Sequence, residues 1–392
     1  MIEIIFWTTC FLIIYPFVIY PSLLKLLASK SRYPSLLQEF TDSWPKITFI
    51  ISAYNEARVI SEKLENALSI TYPENKLEIM VVSDASDDGT DEIVLEKSVV
   101  DDRIKLLRQD ERKGKTAGLN KAMEQINSDI VIFSDANAMY TPQAFQELVK
   151  YFKDPQVGYV VGAAIYNENT KNLANKSEGT YWNSELAMKQ LESDFYSVVG
   201  GDGAIYAIRR ELFWPLEDDD INDLANPLQI IAKGYRGIFN PKAICYEDSA
   251  EDFEKEFRRK RRIVNRSFRA ISKYIGLFSL KKHRRFLFML ISHKVLRWLV
   301  MFFFIGFAVS ALMLTIADKG LIYTLSFYGI VLSFLISLIG KIYVFKQHPS
   351  CPRIFYLAYY CYIVSIAAML GIFDNFLGHR HVTWDHIRKT KQ

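Results

Sequence analysis

Short apolar runs alternate with amphipathic stretches through the first half of this chain. The apolar runs predict strands at 47–52, 79–82, 104–107, 130–133 and 158–164. The intervening stretches carry apolar residues on one face and predict helices at 57–70, 91–100 and 115–126. Strands and helices that alternate over short links are typical of a doubly wound, mostly parallel sheet. We therefore predict one α/β domain over residues 30–250.

Much longer apolar stretches lie at the two ends of the 392-residue chain, at 4–27, 295–316, 321–342 and 354–373. Each is long enough to cross about 30 Å of hydrocarbon as a helix. The first stretch has neither a basic leader nor a small-residue cleavage site, so we expect residues 1–29 to remain as a transmembrane helix. We expect 293–376 to form C-terminal transmembrane segments.

Basic residues follow the first apolar stretch and precede the second, which predicts that the α/β domain lies on the cytoplasmic side. We expect the chain to be an integral protein of a bacterial inner membrane. The same rule conflicts with a crossing by the last stretch, because that crossing would put the basic tail 377–392 outside. The last stretch either spans the membrane or is re-entrant or interfacial, and the sequence leaves these alternatives open.

The net charge is only +4, so we expect no nucleic acid partner, but lysine and arginine crowd between Lys255 and Arg269. A basic stretch directly before membrane spans predicts interfacial helices over 251–292 that meet membrane lipids. Their apolar residues are expected to face lipid: Phe253, Phe257, Ile263, Val264 and Phe268. Charge at the start of the next span is costly, so we expect these side chains to snorkel: His293, Lys294 and Arg297.

Two predicted strands run directly into polar oxygen-bearing side chains. The run at 79–82 leads to Asp84, and the run at 130–133 leads to Asp135 and Asn137. Ligands bind outside the carboxyl ends of strands in open α/β sheets. Oxygen ligands gathered there suit Mg²⁺ or Mn²⁺ and a phosphorylated substrate.

Motifs along the chain resemble a known family. They occur in the order Ile50-Ile-Ser-Ala-Tyr-Asn-Glu56, Val81-Val-Ser-Asp84-Ala-Ser-Asp-Asp-Gly-Thr90, Gly114-Lys-Thr-Ala-Gly-Leu-Asn120 and Ser134-Asp-Ala-Asn137. This series is similar to the inverting family 2 glycosyltransferases, which have the GT-A nucleotide-sugar fold. The later segments 200–210 and 221–223 resemble the membrane-bound branch that includes hyaluronan, chitin and cellulose synthases.

The resemblance implies a binding site for a nucleotide sugar, expected to be UDP-linked. Residues at the first strand end would hold the base and ribose: Ala53, Tyr54, Asn55 and Glu56. Asp84 would accept the uracil imide N–H, and Arg112 and Lys115 would contact the diphosphate. Asp135 and Asn137 stand where the family has its Asp-x-Asp metal site, with an amide in place of the second acid.

The resemblance also implies a catalytic base at Asp223, while the acidic run 217–220 is expected to be a solvated loop. An acceptor site is implied at Gly201, Asp202, Gly203 and Ala204. Arg262 would contact the leaving diphosphate, in the place where polymerising relatives have Gln-x-x-Arg-Trp; here the Gln and Trp are absent.

The departure from this motif leaves three functions open. The chain would extend a polysaccharide or a lipid-linked sugar, add one sugar to a membrane lipid, or serve as an inactive nucleotide-binding or scaffold protein of an envelope assembly.

Overall fold

The computed structural model describes residues 1–29, 44–166, 173–247, 253–345 and 352–380, with no side chains described at 173–183. Eight strands form its sheet: β1 (Ile47–Ala53), β2 (Leu77–Ser83), β3 (Ile104–Arg108), β4 (Ile130–Asp135), β5 (Met139–Tyr140), β6 (Val157–Tyr166), β7 (Tyr206–Arg209) and β8 (Arg236–Glu247). All five strands expected from the apolar runs are confirmed.

The sheet has the order β3-β2-β1-β4-β7-β6-β8-β5. Its first four strands are parallel, whereas β7 runs antiparallel to both of its neighbours, β4 and β6. β8 is parallel to β6, and β5 is antiparallel to β8. The doubly wound parallel arrangement therefore holds for the first half of the domain, and the second half is mixed. Parallel pairing brings Ala53, Ser83 and Asp135 to the same edge of the sheet.

Helices cover both faces of the sheet, which explains why β1 is buried along its whole length. The domain helices are Ile60–Ser69, Thr90–Val100, Lys115–Gln125, Ala144–Val149, Leu173–Phe195 and Asn222–Ala232. The first begins at Ile60 rather than at residue 57, because the chain leaves β1 through a turn in which Asn55 has a φ of 53°. Asparagine tolerates this left-handed conformation better than most residues do.

The apolar ends of the chain are helical as expected. A helix with a π turn at Tyr15–Ile19 runs from Ile2 to Ala28, and later helices cover Leu280–Leu290, a π turn at Ile291–Val295, Leu296–Trp298, Val300–Ile316, Leu321–Phe345 and Arg353–Phe376. Among the described residues, three helices are long and apolar enough to cross a membrane, and a pair bent by 60° near Leu299 would make a fourth span. The tail beyond residue 380 lies outside the described residues.

The helix Phe253–Tyr274, called the basic helix below, packs along Arg353–Phe376, called the tail helix. The expectation that its apolar side chains face lipid is wrong for two of them. Phe253 is buried beside Tyr360, and Val264 is buried against Ala368 and Ile372 of the tail helix. The two helices are also joined by polar contacts: Arg261 donates to both oxygens of Asp374 at 2.6 and 2.7 Å.

Snorkelling of the charges before the bend is wrong for two of the three residues. His293 is 1% exposed, and its ring nitrogens lie 2.6 Å from Glu192 and 3.0 Å from Glu185. Arg297 donates to the same Glu185 carboxylate. A buried charge is stable only when it is paired, and helix Leu173–Phe195 supplies these carboxylates. These contacts join the α/β domain to the apolar helices near the bend.

Candidate active site

The loops that follow β1 and β2 are joined by reciprocal hydrogen bonds. The Asn55 amide donates to Asp87 Oδ1 at 2.7 Å and accepts from the Asp87 backbone N–H at 2.9 Å. The backbone N–H of Glu56 donates to Thr90 Oγ1 at 2.8 Å. Of the four residues expected to bind a base and ribose, Ala53 ends β1, and residues 54–56 lie in a loop that is hydrogen-bonded to the loop after β2. Their contact with a nucleotide stays a prediction.

Asp84 supports the loop that leads to Lys115. Its carboxylate is 2% exposed and accepts hydrogen bonds from Gln109 Nε2 at 2.7 Å and from the backbone N–H groups of Lys113 and Gly114 at 2.9 and 3.0 Å. Gly114 has a φ of 90°, which favours glycine at the turn before the next helix. The structure thus gives Asp84 a role in loop conformation, and its contact with a uracil ring stays a prediction.

Arg112 is carried by the same loop. Its guanidinium lies 4.0 Å from the centre of the Tyr54 ring, a cation–π geometry. The contact brings a predicted base-binding residue and a predicted diphosphate-binding residue to one surface. The two loops at the carboxyl edge of the sheet therefore share one face.

Three charged groups meet around Gly203. Lys115 Nζ lies 2.5 Å from Asp135 Oδ1. A methyl group placed on Gly203 would lie 3.6 Å from Asp135 Oδ2, 3.7 Å from Asp223 Oδ2 and 3.9 Å from Lys115 Nζ. The absence of a side chain at Gly203 thus leaves an atom-sized space bordered by two carboxylates and an ammonium group. The tertiary structure brings together residues predicted separately as diphosphate ligand, metal ligand, base and acceptor segment.

Asp223 lies in the first turn of helix Asn222–Ala232. Its carboxylate makes no hydrogen bond within the described part of the chain, while its backbone carbonyl accepts from the Gly201 N–H. Desolvation raises the pKa of Asp223; Lys115 acts in the opposite direction, and the negative charges of Asp202 and Asp135 raise it further. An enclosed carboxylate with a raised pKa and no bound proton donor has the properties of a general base.

The predicted acceptor segment packs directly against Asp223. Gly201 lies over the Tyr206 ring, which stacks on Phe133 with 4.7 Å between centroids. Asp202 is turned inward, where its carboxylate pairs with Lys189 at 2.8 Å. The segment therefore borders the site mainly through its backbone at Gly201 and Gly203, and its contact with an acceptor stays a prediction.

The side chains of Asp135 and Asn137 are suited to supply part of the oxygen coordination of a divalent cation such as Mg²⁺ or Mn²⁺. Asp135 Oδ2 and the Asn137 side chain form no hydrogen bonds within the described residues, and both side chains are partly exposed. The described residues contain no group of three or more His, Cys, Asp or Glu side chains arranged for a metal. Magnesium is commonly held by one or two protein ligands together with substrate phosphates and water. These two residues would hold the ion in that manner.

The variant Asn137→Asp tests this assignment. An added negative charge strengthens an oxygen-ligand site, so we expect about a tenfold lower Mn²⁺ concentration at half-maximal activity. Titration of donor turnover with Mn²⁺ would measure the change. An unaltered metal requirement in this variant would remove Asn137 from the coordination shell.

Lys63 was missed by sequence reasoning, because it looks like a polar residue of an amphipathic helix. It is fully buried under the Asp135–Asn137 loop, where Nζ donates to Ser134 Oγ at 2.9 Å and to the Ala138 carbonyl. Burial lowers the pKa of Lys63 to about 7, although the charge of Asp135 acts in the opposite direction. A buried ammonium or amine thus supports the loop that carries the candidate metal ligands.

Burial of Lys63 predicts a pH-dependent stability. The unfolded chain keeps this proton up to a pKa of 10.5, whereas the folded protein releases it at about 7. Unfolding therefore takes up a proton between these values, and the free energy of unfolding should rise by about 1.4 kcal/mol per pH unit there. Thermal melting at several pH values should show this slope in wild type and lose it in Lys63→Met. The exposed Lys105→Met is the control; an equal slope in both variants would contradict the prediction.

Glu247 is a second residue that sequence reasoning missed. It ends β8, and burial together with the charges of Asp135 and Asp202 raises its pKa to about 8. Its position at the end of an apolar strand is the same signal that pointed to Asp84 and Asp135. Glu247 is therefore a titratable carboxyl group whose charge interacts with those of Asp135 and Asp202.

The expectation of a solvated acidic loop at 217–220 is wrong for its second half. Asp219 and Asp220 are 6% and 1% exposed, and both carboxylates are bound by the basic helix. Arg269 contacts Asp219 at 2.6 Å, and the Tyr274 hydroxyl donates to Asp220 at 2.6 Å. These bound carboxylates do not compete with Asp223 as a base. Arg262 is half-buried on the same helix, and its contact with a leaving diphosphate stays a prediction.

Comparison with known proteins now identifies the domain. Residues 48–216 match the family model described as glycosyl transferase family 2. The chain carries a family 2 glycosyltransferase domain. It is 28% identical over 257 residues to the probable glycosyltransferase YdaM of Bacillus subtilis, which covers 62% of this chain and 60% of that protein. It is 26% identical over 214 residues to the poly-beta-1,6-N-acetyl-D-glucosamine synthase of Staphylococcus aureus, which covers 52% and 50%.

These matches span less than two thirds of the length of either relative. A solved structure matches almost the whole chain: a mannosyltransferase from Pyrobaculum calidifontis in complex with GDP-Man and Mn²⁺. Its TM-score is 0.71 with 22% identity, and the match covers 96% of this chain and 99% of that one. The family 2 domain therefore has a GT-A-like fold, as the resemblance implied.

Proposed function

We propose that this protein is a membrane glycosyltransferase that transfers a sugar, with inversion, from a UDP-linked sugar to a growing polysaccharide or a lipid-linked acceptor. The observation that carries the proposal is the convergence of Lys115, Asp135 and Asp223 around Gly203. A nucleotide-sugar transferase needs a cation beside the diphosphate and a base beside the acceptor hydroxyl. Lys115 Nζ and the Asp223 carboxylate both border the small space beside Gly203, which supports this assignment of roles.

In the proposed reaction, Asp223 removes the proton from an acceptor hydroxyl as its oxygen forms a bond to the anomeric carbon. The bond from that carbon to the diphosphate breaks on the opposite face, which inverts the configuration. Lys115 and Arg112 would bind the departing diphosphate. A divalent ion held by Asp135 and Asn137 would supply further positive charge to it. A single base suffices because the transfer is one displacement.

A specific observation favours a lipid-linked acceptor. An open groove of about 260 Å³ lies between the N-terminal helix and the helix segments before the bend. It is lined by Phe11, Leu12, Tyr15, Phe288, Ile291, Ser292 and Leu296. An apolar groove between helices that face the membrane suits a hydrocarbon chain. The missing Gln-x-x-Arg-Trp motif also suits single addition to a membrane lipid.

We place the family 2 domain in the cytoplasm of a bacterial cell, with the apolar helices in the inner membrane. The tail helix is one of the three helices long and apolar enough to cross a membrane. We propose that it lies at the interface instead, because the strongly basic helix contacts it from Tyr360 to Asp374. This arrangement would keep the basic tail on the cytoplasmic side. It also removes the conflict with the positive-inside rule.

Donor screening in detergent tests the proposal. Purified protein would be incubated with UDP- and GDP-sugars, Mn²⁺ or Mg²⁺ and membrane lipid extract, and nucleotide release would be measured. Metal-dependent turnover of a UDP-sugar supports the proposal. Turnover of GDP-mannose alone would show that the donor is GDP-linked rather than UDP-linked. A ladder of products would indicate polymerisation, and one lipid product single addition. Failure to bind or turn over any donor would favour the inactive scaffold. The argument against that alternative is that the chain retains the expected binding and catalytic residues Asp84, Lys115, Asp135 and Asp223.

A further inference from the structure

Arg266 is a buried arginine in the middle of the basic helix, with 8% of its surface exposed. Its guanidinium donates to the Asp219 carbonyl at 3.2 Å, to Thr116 Oγ1 at 3.1 Å and to the Asp220 carbonyl. Thr116 Oγ1 donates in turn to the same Asp220 carbonyl at 2.9 Å. Arg266 therefore joins two segments that are distant in the chain, the Asp219–Asp220 backbone and Thr116.

The groups that Arg266 joins lie next to the reacting residues. Thr116 follows Lys115 in the first turn of helix Lys115–Gln125, and Asp220 closes the loop that enters the helix carrying Asp223. The carboxylates of this loop are held by other residues of the basic helix, since Lys273 Nζ lies 3.0 Å from Asp220 Oδ2. The loop and the Lys115 helix are also joined directly, because the Asn120 side chain exchanges hydrogen bonds with the Leu216 backbone at 2.7 and 3.0 Å. Arg266 adds a bridge from the basic helix to both of them at the end nearest Asp223.

We propose that Arg266 is a positioning residue that sets the distance between Asp223 and Lys115. A planar guanidinium donates several hydrogen bonds in fixed directions, whereas a lysine ammonium is a single flexible point charge. The segment 213–221 is neither strand nor helix, and its last two carbonyl groups before Ile221, those of Asp219 and Asp220, accept hydrogen bonds from Arg266. The inference rests on the proposed transfer reaction and adds a determinant of its geometry.

Electrostatics gives Arg266 a second effect on the base. Burial lowers the pKa of Arg266, and the negative charges of Asp223, Asp219 and Asp220 oppose that change. The interaction is mutual, so the guanidinium charge favours ionised Asp223. Loss of the charge should therefore raise the pKa of Asp223, whereas a lysine in its place should preserve the pKa and still lose the alignment.

The test compares Arg266→Lys and Arg266→Met with Arg258→Met, an exposed residue of the same helix whose only described partner is Glu254 at 2.7 Å. We measure kcat, donor KM and the pH profile of kcat for full-length protein in detergent, with thermal melting as a check on folding. Small misplacements of reacting groups cost about 100-fold in rate. We expect Arg266→Lys to lower kcat by about 10- to 100-fold with donor KM changed less than about threefold.

In Arg266→Met the acid limb of the kcat profile should also move to higher pH, while in Arg266→Lys it should stay in place. Arg258→Met should match wild type. If both Arg266 variants keep wild-type kcat, or lose it only in proportion to folded protein with an unmoved acid limb, the inference is overturned while the proposed function stands. Absence of turnover by wild-type protein would instead overturn the proposed function, and the inference with it.

Discussion

Replacing Asp223 with asparagine is expected to lower kcat by about 10²- to 10⁴-fold, the range that a positioned general base contributes. The amide keeps the size of the side chain but does not accept the acceptor proton. Donor binding should change little, because Asp223 faces the space around Gly203 and forms no hydrogen bond within the described residues. Nucleotide release with the best donor would measure kcat, and calorimetry would measure donor affinity.

The same residue predicts the acid limb of the activity profile. Asp223 acts only when deprotonated, and desolvation raises its pKa above the ordinary value for aspartate. Activity should therefore fall as the pH decreases through this raised pKa, earlier than for an exposed carboxylate of pKa about 3.9. The control Asp218→Asn changes an exposed carboxylate of the nearby loop and should retain activity. Equal activity in wild type and Asp223→Asn would assign the base to another residue.

Replacing Asp135 with alanine is expected to lower turnover by about 100-fold or more and to weaken metal-dependent donor binding. The change removes the only carboxylate among the two candidate metal ligands and also the partner of Lys115 at 2.5 Å. Loss of a group that merely orients a metal ligand typically costs about 10- to 100-fold in metal affinity, and loss of the ligand itself should cost at least as much. Donor binding titrated at several Mn²⁺ concentrations would separate this effect from a change in kcat.

Two comparisons complete that test. The exposed Asp110→Ala should behave as wild type, since its carboxylate lies on the loop surface. Addition of EDTA to wild type should reproduce most of the loss seen in Asp135→Ala. Donor binding that is strong in Asp135→Ala and indifferent to Mn²⁺ would show that Asp135 serves only as the partner of Lys115.

Much of the domain was predictable from local patterns. Buried parallel strands are continuous apolar runs, so β1, β2, β3 and β4 were recognisable without knowledge of their partners. The acidic residues at the ends of β2 and β4 were predictable too, and parallel strands place their carboxyl ends at one edge of the sheet. The order of β6, β7 and β8 was not, since antiparallel insertion between distant segments leaves no local trace in the sequence.

Residues that act through burial were the ones that sequence reasoning missed or misplaced. Lys63 occupies a polar position of an amphipathic helix, yet it lies beneath the loop of Asp135. Asp219 and Asp220 have the composition of a solvated loop, yet the basic helix covers them. Such contacts join residues that are distant in the chain, so neither the spacing of hydrophobic residues nor the spacing of motifs predicts them.

The sequence by itself determined the strand and helix pattern, the apolar helices and the identity of the acidic and basic residues at the strand ends, because these depend on side-chain type and local periodicity. Only the tertiary structure decided that Lys115, Asp135 and Asp223 meet at Gly203, and that Arg266 joins the loop of Asp223 to the helix of Lys115. The physical reason is distance: charges interact over a few ångströms in space, whatever their separation along the chain.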